Sequence, residues 1–272
     1  MKHCYAISAY GASPYLETCI ESLTQQSVRS AVILCTSTPN DLIREMAARY
    51  AIPLYIRDGA SSLHADWNFA VETAVRETGA ELVTVAHQDD VYHRDYGKAL
   101  RAAWHMYPDL SVFCTRYRTI DAGGEPVTGR AERVKRLLRL PLRMRELADR
   151  TFVKRAVLQF GNAIGCPTCT YAVEKTGLPL FQNDYHFVID WDTLLRISRL
   201  PGRFVCLERE LLDYRVHDGA ETLKNIENHV REKEEQLMFE KMWPQPFPRI
   251  LMHFYRRACG AYTSEKKTDG PA

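Results

Sequence analysis

The chain has 272 residues, of which 26% are charged and 46% hydrophobic, a balance typical of a globular protein with one large α/β domain or two lobes. Its formal net charge is only +2, which excludes a surface that coats nucleic acid, so we expect no nucleic-acid partner.

Residues 1–108 alternate between apolar runs and helical patterns. Strands are predicted at 4–10, 31–37, 52–58 and 81–87, and helices at 13–26, 39–50, 66–79 and 95–108. Ser13 is expected to cap the first helix with Pro14 at its first position, and Gly79 to end the third helix. Four β–α repeats of this length predict a parallel sheet with helices on both faces.

Residues 109–272 follow a less regular pattern. We predict a strand at 111–121, an arginine-rich amphipathic stretch at 130–150, a Gly/Pro-rich loop with a strand at 160–175, a helix from Asp190, a strand ending near 217 and a long polar helix at 221–243. Residues 263–272 are expected to be disordered.

Eight cysteines are spread along the chain, and Cys166 and Cys169 form one C-x-x-C pair. A structural zinc site needs a second ligand pair at comparable spacing, and the sequence has none. We therefore interpret the thiols as reduced and structural.

The stretch AHQDDVY, residues 86–92, places Asp89 and Asp90 side by side after the fourth predicted strand. Ligands of parallel sheets bind beyond the carboxyl ends of the strands, where Asp58 also lies. Acidic pairs are common in surface turns, but two carboxylates at a strand end also suit Mg²⁺ or Mn²⁺, which prefer oxygen ligands. Such an ion would stabilise the charge of a nucleotide diphosphate. From these seven residues alone, both interpretations stay open.

Two segments of the second half carry related chemistry. Asp190 opens a predicted helix, where it either caps the helix or acts as a general base that deprotonates a hydroxyl. Asp192 lies two residues on and would point elsewhere on that helix. Arg215 and His217 alternate along a predicted strand and so share one face, as a surface pair or as contacts to phosphate and metal.

The segment DWNFAVETA, residues 66–74, opens the third predicted helix. Asp66 and Asn68 either cap this helix or contact the ribose or diphosphate of a nucleotide. Trp67 and Phe69 are interpreted as packing residues.

The order of these motifs resembles the inverting family-2 glycosyltransferases of the GT-A fold over about residues 4–222. The resemblance rests on AISAYGASPYLETCIESLTQQ, a strand ending near Asp58, DWNFA, HQDDVY, IDWD and YRVHDGAET. It implies an α/β protein of GT-A type, with a mostly parallel central sheet flanked by helices and a C-terminal helical extension. The implied parts are a Rossmann-like nucleotide-sugar-binding half at 1–108, an acceptor-binding and catalytic half at 109–222, and amphipathic helices with a disordered tail at 223–272.

The resemblance also implies an activity, that of a hexosyltransferase-type enzyme. Such an enzyme moves a sugar from a nucleotide-diphosphate donor to a hydroxyl of a glycan or polyprenyl-linked acceptor with inversion, in polysaccharide or glycolipid biosynthesis, and uses Mg²⁺ or Mn²⁺. The implied catalytic base is Asp190, and the implied metal ligands are Asp90 and His217. The resemblance implies contacts to the nucleotide sugar from Ser8, Ala9, Tyr10 and Asp89, and the chemistry of the other motif residues adds Asp58, Asp66, Asn68 and Arg215 as expected contacts.

Two departures from the family pattern stand out. The acidic residue usual after the second strand is replaced by LCTSTPN, with Thr36 and Ser37 in that region. The usual Glu-Asp pair at the acceptor helix reads Ile189–Asp190, which retains only the base.

A nucleotidyltransferase is the first alternative to a glycosyltransferase, although SAYGASPY offers only Gly11 for a phosphate loop. A non-catalytic nucleotide-sugar-binding scaffold is the second.

The stretches 130–150 and 247–262 are rich in arginine and apolar residues. They suit an anionic membrane surface and a lipid-linked acceptor, but a flap over the donor or a solvated helix gives the same pattern. The first residues, MKHCYAISAY, have no apolar signal segment, and no apolar run is long enough to span a bilayer. We expect a cytoplasmic protein, with peripheral contact at the inner membrane face.

Overall fold

A computed structural model describes residues 1–127, 130–217 and 230–253. The strands in this part of the chain are β1 (His3–Ala9), β2 (Ala31–Thr36), β3 (Leu54–Ile56), β4 (Leu82–His87), β5 (Val91–Tyr92), β6 (Leu110–Ile120), β7 (Thr170–Ala172) and β8 (Arg203–Arg215). The α-helices are α1 (Leu16–Thr24), α2 (Asp41–Arg49), α3 (Leu63–Thr78), α4 (Tyr96–Met106), α5 (Arg130–Leu138), α6 (Thr151–Ala156), α7 (Val173–Thr176), α8 (Ile189–Ile197) and α9 (Val230–Met242). Residues 247–253 are also helical.

The eight strands form one sheet in the order β3-β2-β1-β4-β7-β6-β8-β5. The first four predicted strands are parallel to one another, as the β–α repeats indicate. β7 is antiparallel to both β4 and β6, β8 is parallel to β6, and β5 is antiparallel to β8. The predicted α/β class with a mostly parallel, helix-flanked sheet is confirmed.

Both faces of the sheet are covered by apolar side chains, as expected for parallel strands. Along β1 the side chains alternate, so that Cys4 and Ala6 belong to the core cluster of one face and Tyr5 and Ile7 to that of the other. One face packs against α3, α8 and α9, and the other against α1, α2 and α4. Each fully buried large side chain stabilises the fold by about 1.5–3 kcal/mol.

Two predicted helix starts are wrong. The first helix begins at Leu16, so Ser13 lies two residues before its capping position, Tyr15. The Ser13 hydroxyl accepts the Tyr15 N–H over 3.3 Å and donates to Asp89 Oδ1 over 2.7 Å. The third helix begins three residues before the predicted start, because Ser62 caps it by accepting the Ala65 N–H. Gly79 ends that helix in the left-handed region, at φ +63°, as predicted.

The second half differs in detail from the sequence pattern. β8 ends at Arg215, so His217 lies just beyond the strand. Asp190 is not a helix cap, because α8 starts at Ile189 and the capping position is Val188. The sheet runs across the proposed boundary at 108/109, since β5 pairs with β8, and the division into two halves stays a prediction.

Several predictions fall partly outside the described residues, namely the helix at 221–229, the stretch beyond 253, the tail at 263–272 and Cys259. The seven described cysteines are free thiols. Among the described residues, no helix combines the length and apolar character that crossing a membrane requires.

Candidate active site

The adjacent carboxylates Asp89 and Asp90 have different surroundings. Asp90 is 1% exposed, and its Oδ1 accepts the backbone N–H of Arg215 over 2.9 Å. Its Oδ2 is buried, makes no hydrogen bond with the described residues, and lies 3.9 Å from His87 Nδ1. Burial raises the pKa of Asp90 well above its ordinary value, which favours the neutral acid unless a cation is close.

Asp89 faces the loop after β1 and the end of β8. Its Oδ1 accepts the Ser13 hydroxyl, and its Oδ2 lies 3.3 Å from His217 Nε2. The structure therefore pairs His217 with Asp89 and not with Asp90. The HQDD turn is not a free surface turn, because both of its carboxylates are joined to distant segments of the chain.

Arg215 and His217 pack on one aromatic ring. The Arg215 guanidinium lies 4.4 Å from the centre of the Tyr15 ring, and the His217 ring lies 4.9 Å from it. Arg215 donates from Nε to the Asp89 carbonyl oxygen over 3.0 Å, and from Nη1 to the carbonyl oxygens of residues 121 and 122. These bonds hold the backbone of the acidic turn, while the predicted contact of Arg215 with phosphate stays a prediction.

His87 and Trp67 form a stacked pair under the acidic turn, with ring centres 5.0 Å apart and planes 20° apart. Burial lowers the pKa of His87 to about 4, so its imidazole is neutral at pH 7. Trp67 also packs on Phe181 at 5.2 Å. The sequence interpretation of Trp67 as a packing residue is confirmed, and what it packs against is the end of β4.

Asp190 is half-buried at the start of α8. Asn162 Nδ2 donates to its Oδ2 over 2.7 Å, and the Trp191 N–H donates to its Oδ1 over 2.8 Å. Burial raises the pKa of Asp190 to about 6, although both hydrogen bonds and the positive charge of Lys135 act in the opposite direction. A carboxylate with a pKa near 6 is ionised at pH 7 and still basic, as a general base requires.

The loop of residues 162–167 is bonded to Asp190 through Asn162 and to β5, the strand that follows the acidic turn. Burial raises the pKa of the Cys166 thiol in this loop, and the negative charges of Asp190 and Asp90 raise it further. The loop is tied to β5 by the Tyr92 hydroxyl, which donates to the Pro167 carbonyl oxygen over 2.6 Å. Lys135, on the arginine-rich α5, donates to the Tyr117 hydroxyl, and its positive charge lowers the pKa of Asp190.

The loop after β1 meets the acidic turn through Gln88. Tyr10 is 52% exposed, its N–H donates to Gln88 Oε1 over 3.0 Å, and its carbonyl oxygen accepts from Gln88 Nε2 over 2.9 Å. Ser8 and Ala9 end β1 directly before it. The structure thus brings the predicted Ser8–Tyr10 segment beside the acidic turn.

Three other predicted site residues lie apart from the acidic turn. Asp58 is exposed beyond β3, the edge strand. Asp66 accepts from Arg57 Nε over 2.8 Å and also from two serine hydroxyls. Asn68 bonds to the backbone N–H and carbonyl oxygen of Phe181 over 2.9 and 2.8 Å. Of the two interpretations of Asp66 and Asn68, helix capping is wrong, because α3 starts upstream of both, and contact with the nucleotide stays a prediction.

Sequence reasoning missed four residues of the site, namely Tyr15, His87, Lys135 and Asn162. A polar residue in the Gly-rich FGNAIG loop was the one available signal for Asn162. His87 lies in the quoted HQDD motif and Lys135 in the basic stretch 130–150, but neither pattern assigns a role to the single residue, and Tyr15 lies in a predicted helix.

The residues at the acidic turn fit a divalent cation. Asp89 Oδ2 and His217 Nε2 lie 3.3 Å apart, and neighbouring ligands of an octahedral ion at about 2.1 Å are about 3 Å apart. His217 Nε2 and Asp90 Oδ2 are buried and make no hydrogen bond with the described residues. The part of the chain that the structure describes holds no group of three or more His, Cys, Asp or Glu side chains able to bind an ion by themselves. An ion here would therefore need oxygens from a bound substrate, as Mg²⁺ commonly does.

Comparison with known proteins adds a family and a fold. The model of the family described as Glycosyl transferase family 2 matches residues 4–171. No curated protein matches the chain.

Several solved structures resemble the chain. The TarS fragment 1–349 of S. aureus with UDP-GlcNAc has a TM-score of 0.62 at 12% identity, over 96% of this chain and 73% of that one. The chain covers 64% of the same fragment in another crystal structure. The mannosyltransferase PcManGT of Pyrobaculum calidifontis, with GDP-Man and Mn²⁺, has a TM-score of 0.59 at 16% identity, over 100% of this chain and 76% of that one. The glucosyl-3-phosphoglycerate synthase of Mycobacterium tuberculosis, with Mn²⁺ and UDP-glucose, has a TM-score of 0.54 at 16% identity, over 90% of this chain and 80% of that one. At these identities the likeness shows the fold.

Proposed function

Since the chain belongs to glycosyl transferase family 2, we propose that it transfers a sugar from a nucleotide-diphosphate donor to an acceptor hydroxyl, with inversion at the anomeric carbon. The observation that carries this proposal is Asp190, a half-buried carboxylate with a pKa of about 6, held by Asn162 on the loop that also bonds to β5 beside the acidic turn. An inverting displacement needs a base on one face of the sugar and a diphosphate site on the other.

Asp190 acts as the general base. It accepts the proton of the acceptor hydroxyl while that oxygen attacks the anomeric carbon from the face opposite the nucleotide, and the bond to the diphosphate breaks. The bonds from Asn162 and from the Trp191 N–H fix the carboxylate plane and leave lone pairs on both oxygens for the acceptor.

The donor binds at the acidic turn. Asp89 and His217 would hold Mg²⁺ or Mn²⁺, with Asp90 behind them, and the ion supplies positive charge that stabilises the departing diphosphate. The Ser8–Tyr10 loop and Asp58 line the nucleotide, and Arg215 positions the turn. Asp66 and Asn68 act on the donor only through the loops they hold. The Mn²⁺ and nucleotide sugars named in the PcManGT and glucosyl-3-phosphoglycerate synthase complexes support this choice of ligands.

The acceptor is a glycan or a polyprenyl-linked glycan of a polysaccharide or glycolipid pathway, met at the inner face of a membrane. Support comes from the basic segment, residues 130–150. Leu137 is 65% exposed there, Met144 is exposed as well, and the neighbouring Arg133, Arg136 and Arg143 are also exposed. Apolar side chains among arginines match the interface of an anionic membrane.

The test compares Asp190→Asn with Asp184→Asn. Asp184 is an exposed acid in the loop just before α8. We expect Asp190→Asn to lower the transfer rate by at least about 100-fold, because the base is lost, while Asp184→Asn transfers normally. Calorimetric titration of a panel of nucleotide sugars, with and without Mn²⁺, should give the same donor affinity for both variants within about twofold.

Two outcomes would contradict the proposal. Unchanged transfer by Asp190→Asn removes Asp190 from the role of base. Donor binding without transfer to any glycan or lipid-linked acceptor by the unsubstituted chain would favour a binding scaffold.

A further inference from the structure

Glu234 of α9 binds the backbone directly in front of α8. Its Oε1 accepts the N–H of His186 over 2.9 Å, and its Oε2 accepts the N–H of Phe187 over 2.7 Å and that of Val188 over 3.2 Å. Its side chain comes from a point 46 residues further along the chain and is buried, with 8% of the residue exposed. Three successive N–H groups that converge on one carboxylate form an anion-binding nest at the start of the helix that carries Asp190.

α9 and Trp243 also contact the two segments that hold the Asp190 side chain, namely the first turn of α8 and the segment just before Asn162. Phe239 packs edge-on against Trp191, with ring centres 5.4 Å apart. Lys241 Nζ donates to Asp192 Oδ1 over 2.7 Å. Trp243 Nε1 donates to the Gln159 carbonyl oxygen over 2.9 Å, three residues before Asn162. The base and the amide that orients it are therefore both anchored from this one helical region.

We propose that Glu234 is a positioning residue for the transfer reaction, and that α9 acts as a strut that holds Asp190 and Asn162 in register. This inference rests on the proposed role of Asp190 as base. α9, like Asp190 itself, lies outside residues 4–171, the part that the family model matches.

A carboxylate suits this role better than any neutral side chain. The N–H groups that precede and open a helix have no partner within the helix, and the helix dipole adds positive potential at the same place. A charged acceptor makes stronger hydrogen bonds with them than an amide oxygen does. Val188, the last N–H bound, is two residues before Asp190, so a shift of the nest moves the base directly.

Glu234→Gln is the main test. The amide keeps one acceptor oxygen but points an NH₂ group at backbone donors, so at least one of the bonds is lost. We expect kcat to fall about tenfold or more, because a displacement of about 1 Å can cost about 100-fold, with the donor KM unchanged within about twofold. We also expect the acid limb of the kcat–pH profile to move from near pH 6 to lower pH. Asp190 becomes less buried in this variant, and lower burial lowers its pKa.

Glu240→Gln is the matched control, an exposed glutamate on the same helix that bonds to Gln236. It should leave kcat and the acid limb unchanged. Glu234→Asp keeps the charge on a shorter side chain, so it should fold and give a kcat between the other two. If Glu234→Gln does not fold, Glu234→Asp carries the test by the same two readouts.

Two results are distinguishable. If Asp190→Asn is inactive while the folded Glu234 variants keep the kcat and acid limb of the unsubstituted chain, Glu234 has a merely structural role and this inference is wrong. If Asp190→Asn remains active, the proposed base is wrong, whatever the Glu234 variants do.

Discussion

At the scale of single residues, three aspartates illustrate how surroundings set chemistry. Asp89 bonds to Ser13 and faces His217, while Asp90 is buried, and burial raises its pKa. Asp190 has an intermediate environment and a pKa of about 6. The three side chains are chemically identical, so these differences come from burial and partners alone.

The pKa of Asp190 predicts a pH-dependent stability. Its folded value of about 6 is above the ordinary 3.8, so the ionised form is disfavoured in the folded protein. The resulting destabilisation is absent below pH 3.8, grows as the pH rises, and is complete above about pH 6. A pKa difference of one corresponds to about 1.4 kcal/mol, so this destabilisation of the folded protein reaches at most about 3 kcal/mol.

We therefore expect Asp190→Asn to raise the free energy of unfolding above pH 6 and not below pH 4. Denaturant titrations at several pH values measure this, with Asp184→Asn as the control that shows no such difference. A constant stability difference between Asp190→Asn and the unsubstituted chain across this range would contradict a raised pKa at Asp190. The acid limb of kcat should fall in the same window, because the base must be ionised to act.

At the scale of elements, the early start of α3 decides what its polar residues do. The cap at Ser62 moves Asn68 from the expected first turn into the body of the helix, where it is buried against Phe181. A side-chain amide can satisfy one backbone donor and one backbone acceptor together, and Asn68 does so. This contact holds the loop before α8 against α3.

Asn68→Ala tests this structural role. The Phe181 N–H loses its partner, while the Phe181 carbonyl oxygen keeps His64 Nε2 at 2.8 Å. We expect the free energy of unfolding to fall by about 1–3 kcal/mol, the usual cost of one unsatisfied buried donor. Glu72→Ala, an exposed position one turn further along α3, should change it by less than about 0.5 kcal/mol.

Donor affinity separates the two roles considered for Asn68. It should stay the same in folded Asn68→Ala if the residue acts through the loop. A large loss of donor affinity with unchanged stability would instead favour direct contact between Asn68 and the nucleotide sugar.

At the scale of the whole molecule, one sheet joins both halves of the chain. β5 follows the acidic turn directly and pairs with β8, so the end of β8 brings Arg215 and His217 to Asp89 and Asp90. The basic segment, residues 130–150, begins with α5, and the positive charge of Lys135 on this helix lowers the pKa of Asp190.

The membrane contact is tested with vesicles. We expect the protein to sediment with phosphatidylglycerol vesicles more than with phosphatidylcholine vesicles, and less as salt rises, because exposed charges are screened. Leu137→Asp should lower this binding about tenfold, since a buried apolar side chain contributes about 1.5–3 kcal/mol. Met106→Asp, at a position of similar exposure on α4, is the control and should bind normally. Equal binding to both vesicle types would point to a flap or a solvated helix.

The amino-acid sequence by itself determined the local pattern of this protein. The four β–α repeats, the left-handed end of α3 at Gly79 and the α/β class follow from hydrophobic periodicity and residue propensity, which act over a few neighbouring residues. The acidic turn and Asp190 were visible as candidates because they stand at element ends.

Only the tertiary structure decided which of these residues meet. Three contacts join residues that are far apart in the sequence. They pair His217 with Asp89, Asn162 with Asp190, and Glu234 with the backbone before α8. Such pairs depend on strand order and helix packing, and the two-residue β5 that aligns β8 carries no pattern of its own. Burial sets the pKa of Asp190, and burial is a property of the packed molecule, not of the residues around position 190.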